Sequence, residues 1–234
     1  MQKRLYTFLL LLCLTFPAFR ANAQTPASSF GIVVGYSTST YQFDNTVVYP
    51  GSSSEFLWHG EYSKDNWNIG INLTRGISGH WQLKLGAQLT TSGYEQEINM
   101  GSIELGDGTF ASLPADKLSV NHAFLEVPVL ARYMLWDKKW SPYLEAGIST
   151  NYYLATRVRE SLATRRRFWG ERDLVNPINL AADVTAGCQI RSGKRNSWFF
   201  QLRGRRQLIR VEKDARNASF DVGMETGWRM VLKG

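Results

Sequence analysis

Cysteine is scarce in this chain, with two in 234 residues, Cys13 and Cys188. Cys13 falls inside an N-terminal apolar run, and the single thiol beyond it cannot close an internal disulfide. Stapling must therefore come from hydrogen bonds and side-chain packing. Histidine is as rare, at His59, His80 and His122, too scattered in sequence to read as a metal-ligand set. No metal ligands and no cofactor are assigned. Proline numbers 7, too few for a collagen-like or proline-rich segment. Beyond the first 23 residues no apolar run is long enough to cross a bilayer as a helix, so the rest is soluble or enters a membrane as strands. What is present is an ordinary domain's worth of apolar residues (44%) with 20% charged, which excludes disorder. Glycine (20) and aromatics (12 Phe, 10 Tyr, 8 Trp) are plentiful.

Residues 1–23, MQKRLYTFLLLLCLTFPAFRANA, carry Lys3 and Arg4, then an apolar stretch, then Ala21-Asn22-Ala23 before Gln24. This is the pattern of a secretory signal peptide cleaved after Ala23, leaving 24–234 as the mature domain. Lipidation at Cys13 would leave the apolar LTFPAF at the new start, with no small-residue box before it. Removing Lys3, Arg4 and Arg20 lowers the basic count from 27 to 24 against 20 acids, and the net charge from +7 to +4. Export and this modest charge argue against nucleic acid as a partner.

Along the mature chain, apolar and polar residues alternate with period two in long segments, and no long amphipathic helix is visible. In 67–74, Trp67, Ile69, Ile71 and Leu73 oppose Asn68, Gly70, Asn72 and Thr74. Equivalent contrasts run through 81–91, 120–135, 142–154, 178–191, the region of Trp198, Phe200 and Leu202, and 220–232; with 30–37 these make eight strands. Phe124, Pro128, Leu130 and Met134 break the pattern by placing apolar groups on the polar face. A soluble sandwich also alternates. Two features favour a membrane barrel: the strands are nearer the nine to eleven residues that span a bilayer than the five or six of soluble sheets, and their polar faces collect charge. Those charges are Lys84, Arg132, Arg191, Arg203, Arg205 and Arg229 against Glu126, Glu145, Asp183, Asp221 and Glu225. A lumen would let them pair.

Connections alternate in length. SGHW, WDKKW and RSGKRN make tight turns, whereas about 42–66, 94–119, 157–177 and 210–218 are long. The fold expected is an all-β, eight-stranded antiparallel transmembrane β-barrel with short periplasmic turns and long outer loops. The segment 55–62, EFLWHGEY, reads as a hairpin extension or plug within the first outer loop, and pairing of 103–110 would be needed for ten strands. Trp81, Trp136, Trp140, Trp198 and Trp228 fall near the short turns or the chain end, as a periplasmic aromatic girdle would require.

The run 125–156, LEVPVLARYMLWDKKWSPYLEAGISTNYYLAT, resembles the porin-like outer-membrane barrels of the PorT type common in Bacteroidota. Leu125, Glu126, Pro128, Tyr133, Pro142, Tyr143, Glu145 and Gly147 carry the resemblance. It implies an eight-stranded barrel in the bacterial outer membrane and supports fold and location more than any activity.

Catalysis finds little support. The best nucleophile set is Ser119, His122 and Glu126, yet Ser119 and Glu126 are about 20 Å apart along an extended strand, and one strand cannot assemble a triad. Two regions suggest function instead. The loop 157–172, RVRESLATRRRFWGER, gathers Arg157, Arg159, Arg165, Arg166, Arg167 and Arg172 with Trp169, which suits lipopolysaccharide phosphates or an envelope protein partner. The lumen charges would form a plugging, stabilising network, since eight strands leave room only for side chains. The expected function is a non-catalytic outer-membrane barrel with a structural, binding or assembly/secretion-accessory role. The alternatives are a lipid A-modifying enzyme and a soluble periplasmic barrel whose apolar faces point inward around a ligand.

Overall fold

In the computed structural model the chain is described over residues 28–48, 55–98, 102–104, 110–112, 116–160, 168–169, 175–209, 211 and 219–232. The segment 1–23 lies outside these residues. Eight long strands form one antiparallel sheet: β1 (Ser28–Val48), β2 (Glu55–Ser78), β3 (Trp81–Ile98), β4 (Asp116–Met134), β5 (Trp140–Glu160), β6 (Ile178–Arg191), β7 (Asn196–Gln207) and β8 (Phe220–Val231). Each pairs with the next in sequence, and β8 returns to β1 from Ser29↔Val231 to Thr40↔Phe220. The sheet is thus closed, which leaves no long edge with unpaired backbone groups. No helix occurs among the described residues.

Three connections are tight: Gly79 and His80 between β2 and β3, 135–139 between β4 and β5, and 192–195 between β6 and β7. Gly79 has φ of 47°, a left-handed conformation that glycine adopts at little cost. Backbone bonds lock these ends, Met134 N donating to His80 O at 2.9 Å and Ser192 N to Asn196 O at 3.0 Å.

The long-loop end is built higher than the sequence pattern suggests. Segment 55–62 is a hairpin extension and not a plug: it is the first part of β2 and pairs with β1 to Val48↔Glu55. The first long connection therefore reduces to 49–54. The 21 residues of β1, at about 3.4 Å per residue and a tilt near 45°, reach roughly 50 Å against a hydrocarbon core of about 30 Å. By the same arithmetic the 12 residues of β7 reach about 29 Å. One side of the wall thus projects well beyond the other. Among the described residues Ser102–Glu104 and Phe110–Ser112 pair only with each other, so they add no strand to the barrel.

The apolar faces point outward. Ile32, Val34, Ile69, Ile71, Leu144, Ile148, Val184, Leu202, Val222 and Met224 are all exposed, the reverse of a soluble barrel that encloses an apolar ligand. Trp81, Trp136, Trp140 and Trp198 are likewise exposed near the short-turn end, with Trp136 Nε1 donating to Trp140 O at 2.7 Å. Trp198 stands opposite Trp228 across the β7–β8 ladder. Tyr36 and Trp67 face each other across β1 and β2, about half the strand further on, and are also exposed.

Inside, the pattern breakers find their reason. Met134 packs with Val33, Tyr143 and Phe199 toward the short turns. Phe124 packs with Tyr41, Val175 and Val211 toward the long loops. Each of these apolar groups sits on the inner face because it fills lumen space at one end of a charged middle.

Candidate functional site

The inner face carries two charged clusters. Nearer the short turns, Glu145 accepts from Lys84 Nζ at 2.9 Å and pairs with Arg132 through both Nε and Nη2. All three side chains are essentially inaccessible to solvent. The Arg132 guanidinium also lies 4.0 Å from the Tyr143 ring centroid, a cation–π contact in a water-poor site.

The second cluster centres on Arg203. It pairs with Glu126, with Asp183 at 2.6 Å and with Glu225 at 3.0 Å. Arg205 reaches the other oxygen of Glu126 at 2.8 Å and donates to Asn151 Oδ1 at 2.6 Å. Sharing carboxylates between two arginines satisfies several lone pairs at once, which a buried charge requires. Asp221 lies opposite Arg205 in the ladder and is buried beside this cluster.

Ten of the eleven lumen positions named from sequence are thus inward, five bases (Lys84, Arg132, Arg203, Arg205, Arg229) against five acids (Glu126, Glu145, Asp183, Asp221, Glu225). Arg191 differs. It ends β6 at the short-turn rim, is 46% exposed and pairs with Asp137 of the neighbouring turn. Depth along the strand decides this, because a residue at the last ladder position reaches out over the rim instead of into the lumen.

The charges are unevenly placed. Lys84, Arg132 and Arg229 face one acid, Glu145, in the half toward the short turns, while Arg203 and Arg205 face Glu126, Asp183, Glu225 and Asp221 in the other half. These ten charges sum to zero and are polarised along the barrel axis.

Neutral residues complete the network and were not singled out with the charges. Asn68 Nδ2 donates to Gln88 Oε1 and Glu225 Oε1, both at 2.8 Å, and Tyr143 OH donates to Gln201 Oε1 at 2.7 Å. Ser149 donates to Glu126 at 3.2 Å and also to Asp183, while Gln201 donates to Glu225. Strand parity is their signal: Gln88, Tyr143, Ser149 and Gln201 share the inward face with a charged residue on their own strand, and Asn68 shares it with Asn66 and Asn72.

Above this network the lumen narrows to aromatic side chains. Tyr41 and Tyr94 ring centroids are 5.6 Å apart, Phe124 and Tyr153 lie edge to face at 6.1 Å, and the Tyr41 hydroxyl and Ser92 Oγ are 2.7 Å apart. Val175 and Val211, from the last two long connections, close over them, joined by Asn176 N donating to Val211 O at 2.9 Å.

The residues of the nucleophile set part company. His122 is buried with Nδ1 at 2.8 Å from Thr156 Oγ1, Glu126 is held by two arginines, and Ser119 bonds Lys64 Nζ and, at 3.3 Å, Glu95. Of the arginine-rich loop, Arg157 stands opposite Trp169 where Phe168–Trp169 pairs with β5, and the backbone of Arg159 continues that strand. Arg165, Arg166, Arg167 and Arg172 lie outside the described residues.

Several solved barrels are similar to this one. Neisserial surface protein A shares 12% identity over 88% of this chain and 97% of that one, with a TM-score of 0.49. OprG from Pseudomonas aeruginosa shares 11% over 90% and 98%, at 0.45. Ail, the attachment invasion locus protein of Yersinia pestis, solved with the heparin analogue sucrose octasulfate, shares 10% over 86% and 98%, at 0.39. No curated protein matches the sequence significantly. Residues 22–211 match the family model described as the outer membrane protein beta-barrel domain, and the chain belongs to that family, a β-barrel of the bacterial outer membrane.

Proposed function

We propose that the protein is a non-catalytic outer-membrane barrel whose role is structural, binding or accessory to assembly and secretion, exercised at its outer rim and not through its lumen. The observation that carries this reading is the filled interior: a shared-carboxylate network in the middle and an apolar group at either end. A lumen held by side chains on facing strands offers a solute no continuous path. The separation of Ser119, His122 and Glu126 speaks against acyl-transfer chemistry by that set.

In this reading the arginines of the 157–172 loop, Arg157, Arg159, Arg165, Arg166, Arg167 and Arg172, with Trp169, meet the phosphates of lipopolysaccharide at the outer surface or dock an envelope partner, because guanidinium takes phosphate bidentately. The projecting β1–β5 wall gives that loop a raised platform. Residues 1–23 serve as the export signal, and the 125–156 segment affiliates the chain with the PorT type.

The test joins three readouts on the mature protein. Planar bilayers should show no discrete conductance steps, lipid A from a deletion strain should have an unchanged mass profile, and vesicles containing lipopolysaccharide should bind the barrel at least tenfold more tightly than the Arg165→Gln/Arg166→Gln/Arg167→Gln variant. Stable open steps or an altered lipid A would overturn the non-catalytic, non-conducting reading. Equal vesicle binding by the variant would overturn the lipopolysaccharide assignment.

A further inference from the structure

At the short-turn end the lumen opens into a vestibule of about 460 Å³, lined by the ends of strands β1, β2, β3, β4, β6, β7 and β8 and the turns between them. Short turns face the periplasm in barrels of this kind. On its wall is Arg229, 2% exposed. Arg229 Nη1 donates to Gln189 Oε1 at 2.8 Å, and its guanidinium carbon lies 5.5 Å from the Phe199 ring centroid. Among the described residues its Nε and Nη2 have no hydrogen-bond partner.

Those two atoms share one edge of the guanidinium plane, the edge that grips a carboxylate or phosphate with two parallel hydrogen bonds. No acid is ion-paired with Arg229 among the described residues. The acid on the vestibule wall, Asp137, is engaged with Arg191. Lys194 and Arg195, on the β6–β7 turn, also line the space, so its uncompensated charge is positive. The polarised lumen adds to this, since the half that opens here holds three bases and one acid. Thr74 and Ser197 line the same cavity, and their buried hydroxyls likewise have no partner among the described residues. Ser197 is the cross-strand partner of Arg229, and Thr74 stands on β2 in the lining of the same cavity.

We infer that this periplasmic vestibule is an oxyanion-binding site in which the Arg229 Nε/Nη2 edge grips one phosphate or carboxylate group, Thr74 and Ser197 donate to its remaining oxygens, and Lys194 and Arg195 draw it in. A buried, half-satisfied guanidinium is costly to leave without an anion, and burial strengthens the pairing once one arrives. The site does not depend on the outer-loop reading, which concerns the opposite end of the barrel.

The test uses the mature barrel refolded in zwitterionic micelles, titrated calorimetrically with inorganic phosphate and, separately, acetate at low salt. Saturable binding of one anion per barrel is expected for at least one of the two. Arg229→Gln should weaken it tenfold or more, and Lys194→Gln/Arg195→Gln about threefold with a shallower salt dependence. Because Arg229→Gln removes a buried group, Thr74→Val/Ser197→Ala provides a second variant, expected to weaken binding severalfold while the heat-modifiable gel shift is retained. Repeating the titration in phosphatidylcholine nanodiscs with and without phosphatidylglycerol separates the sources. Competition by the anionic lipid identifies a headgroup phosphate, and its absence a free oxyanion. No saturable binding of either probe, or undiminished affinity in the folded variants, overturns the site.

Discussion

The Arg132 guanidinium lies over the face of the Tyr143 ring at 4.0 Å, and the same arginine is paired with Glu145, two residues along Tyr143's own strand and on the same inward face. Glu145 also holds Lys84 at 2.9 Å, so one carboxylate neutralises two buried cations. Removing the acid and removing one base should therefore differ in cost. Glu145→Gln strands both cations and is expected to destabilise the barrel by about 3–5 kcal/mol. Arg132→Met leaves the Lys84–Glu145 pair intact and should cost about 1–2 kcal/mol, near the value of a desolvated cation–π contact. Urea titrations of the heat-modifiable band in lipid vesicles would measure both, and equal costs would sink the shared-carboxylate account.

Arg203 ties together Glu126 from β4, Asp183 from β6 and Glu225 from β8. Arg203→Met leaves three buried carboxylates with only Arg205 near them, and a loss of about 3–5 kcal/mol is predicted. A double-mutant cycle of Arg203→Gln with Asp183→Asn should show coupling of roughly 0.5–3 kcal/mol. Strict additivity would mean that the two do not interact in the folded barrel.

Gly187 faces inward opposite Tyr143, and a Cβ there would fall 2.6 Å from the Tyr143 ring and 2.8 Å from Gln201 Cβ. Gly187→Val should cost about 1–3 kcal/mol from overpacking. Combining it with Tyr143→Leu ought to recover part of that loss, measured by the same urea midpoint. If the second substitution only adds to the first, the ring does not lie where the glycine makes room for it.

Val184, 63% exposed in the middle of β6, faces the hydrocarbon. A Val184→Lys variant should be destabilised by about 2–4 kcal/mol, the cost of a cation on the lipid face near the midplane. Lys194→Val, on the exposed β6–β7 turn, should change stability by less than about 0.5 kcal/mol. Comparable effects at both positions would contradict the assignment of faces.

Strand count and facing were legible because period two is a local property: Ile69 and Asn68 reveal their opposite destinations with no knowledge of their neighbours. The tight turns were legible for the same reason, as Gly79 shows. Strand length was harder. Residues 55–62 alternate as strands do, but whether they extend the first hairpin or plug it depends on a partner, and 41–48 of β1 supplies one.

Sequence alone determined which residues could be wet inside the barrel and greasy outside it, since burial of every second side chain follows from the pleat. Only the tertiary structure decided who meets whom. Arg203 reaches Glu126, 77 residues away, because closing β1 on β8 brings non-adjacent strands face to face across a narrow lumen. Arg191 shares the parity of the lumen charges, yet its height at the end of β6 turns it to Asp137 at the rim. Arg229, with the same parity again, is left beside Gln189 with Nε and Nη2 without a hydrogen-bond partner among the described residues. Parity is set by the local backbone, whereas height and partner are set by how eight strands stagger to close, and no segment carries that information by itself.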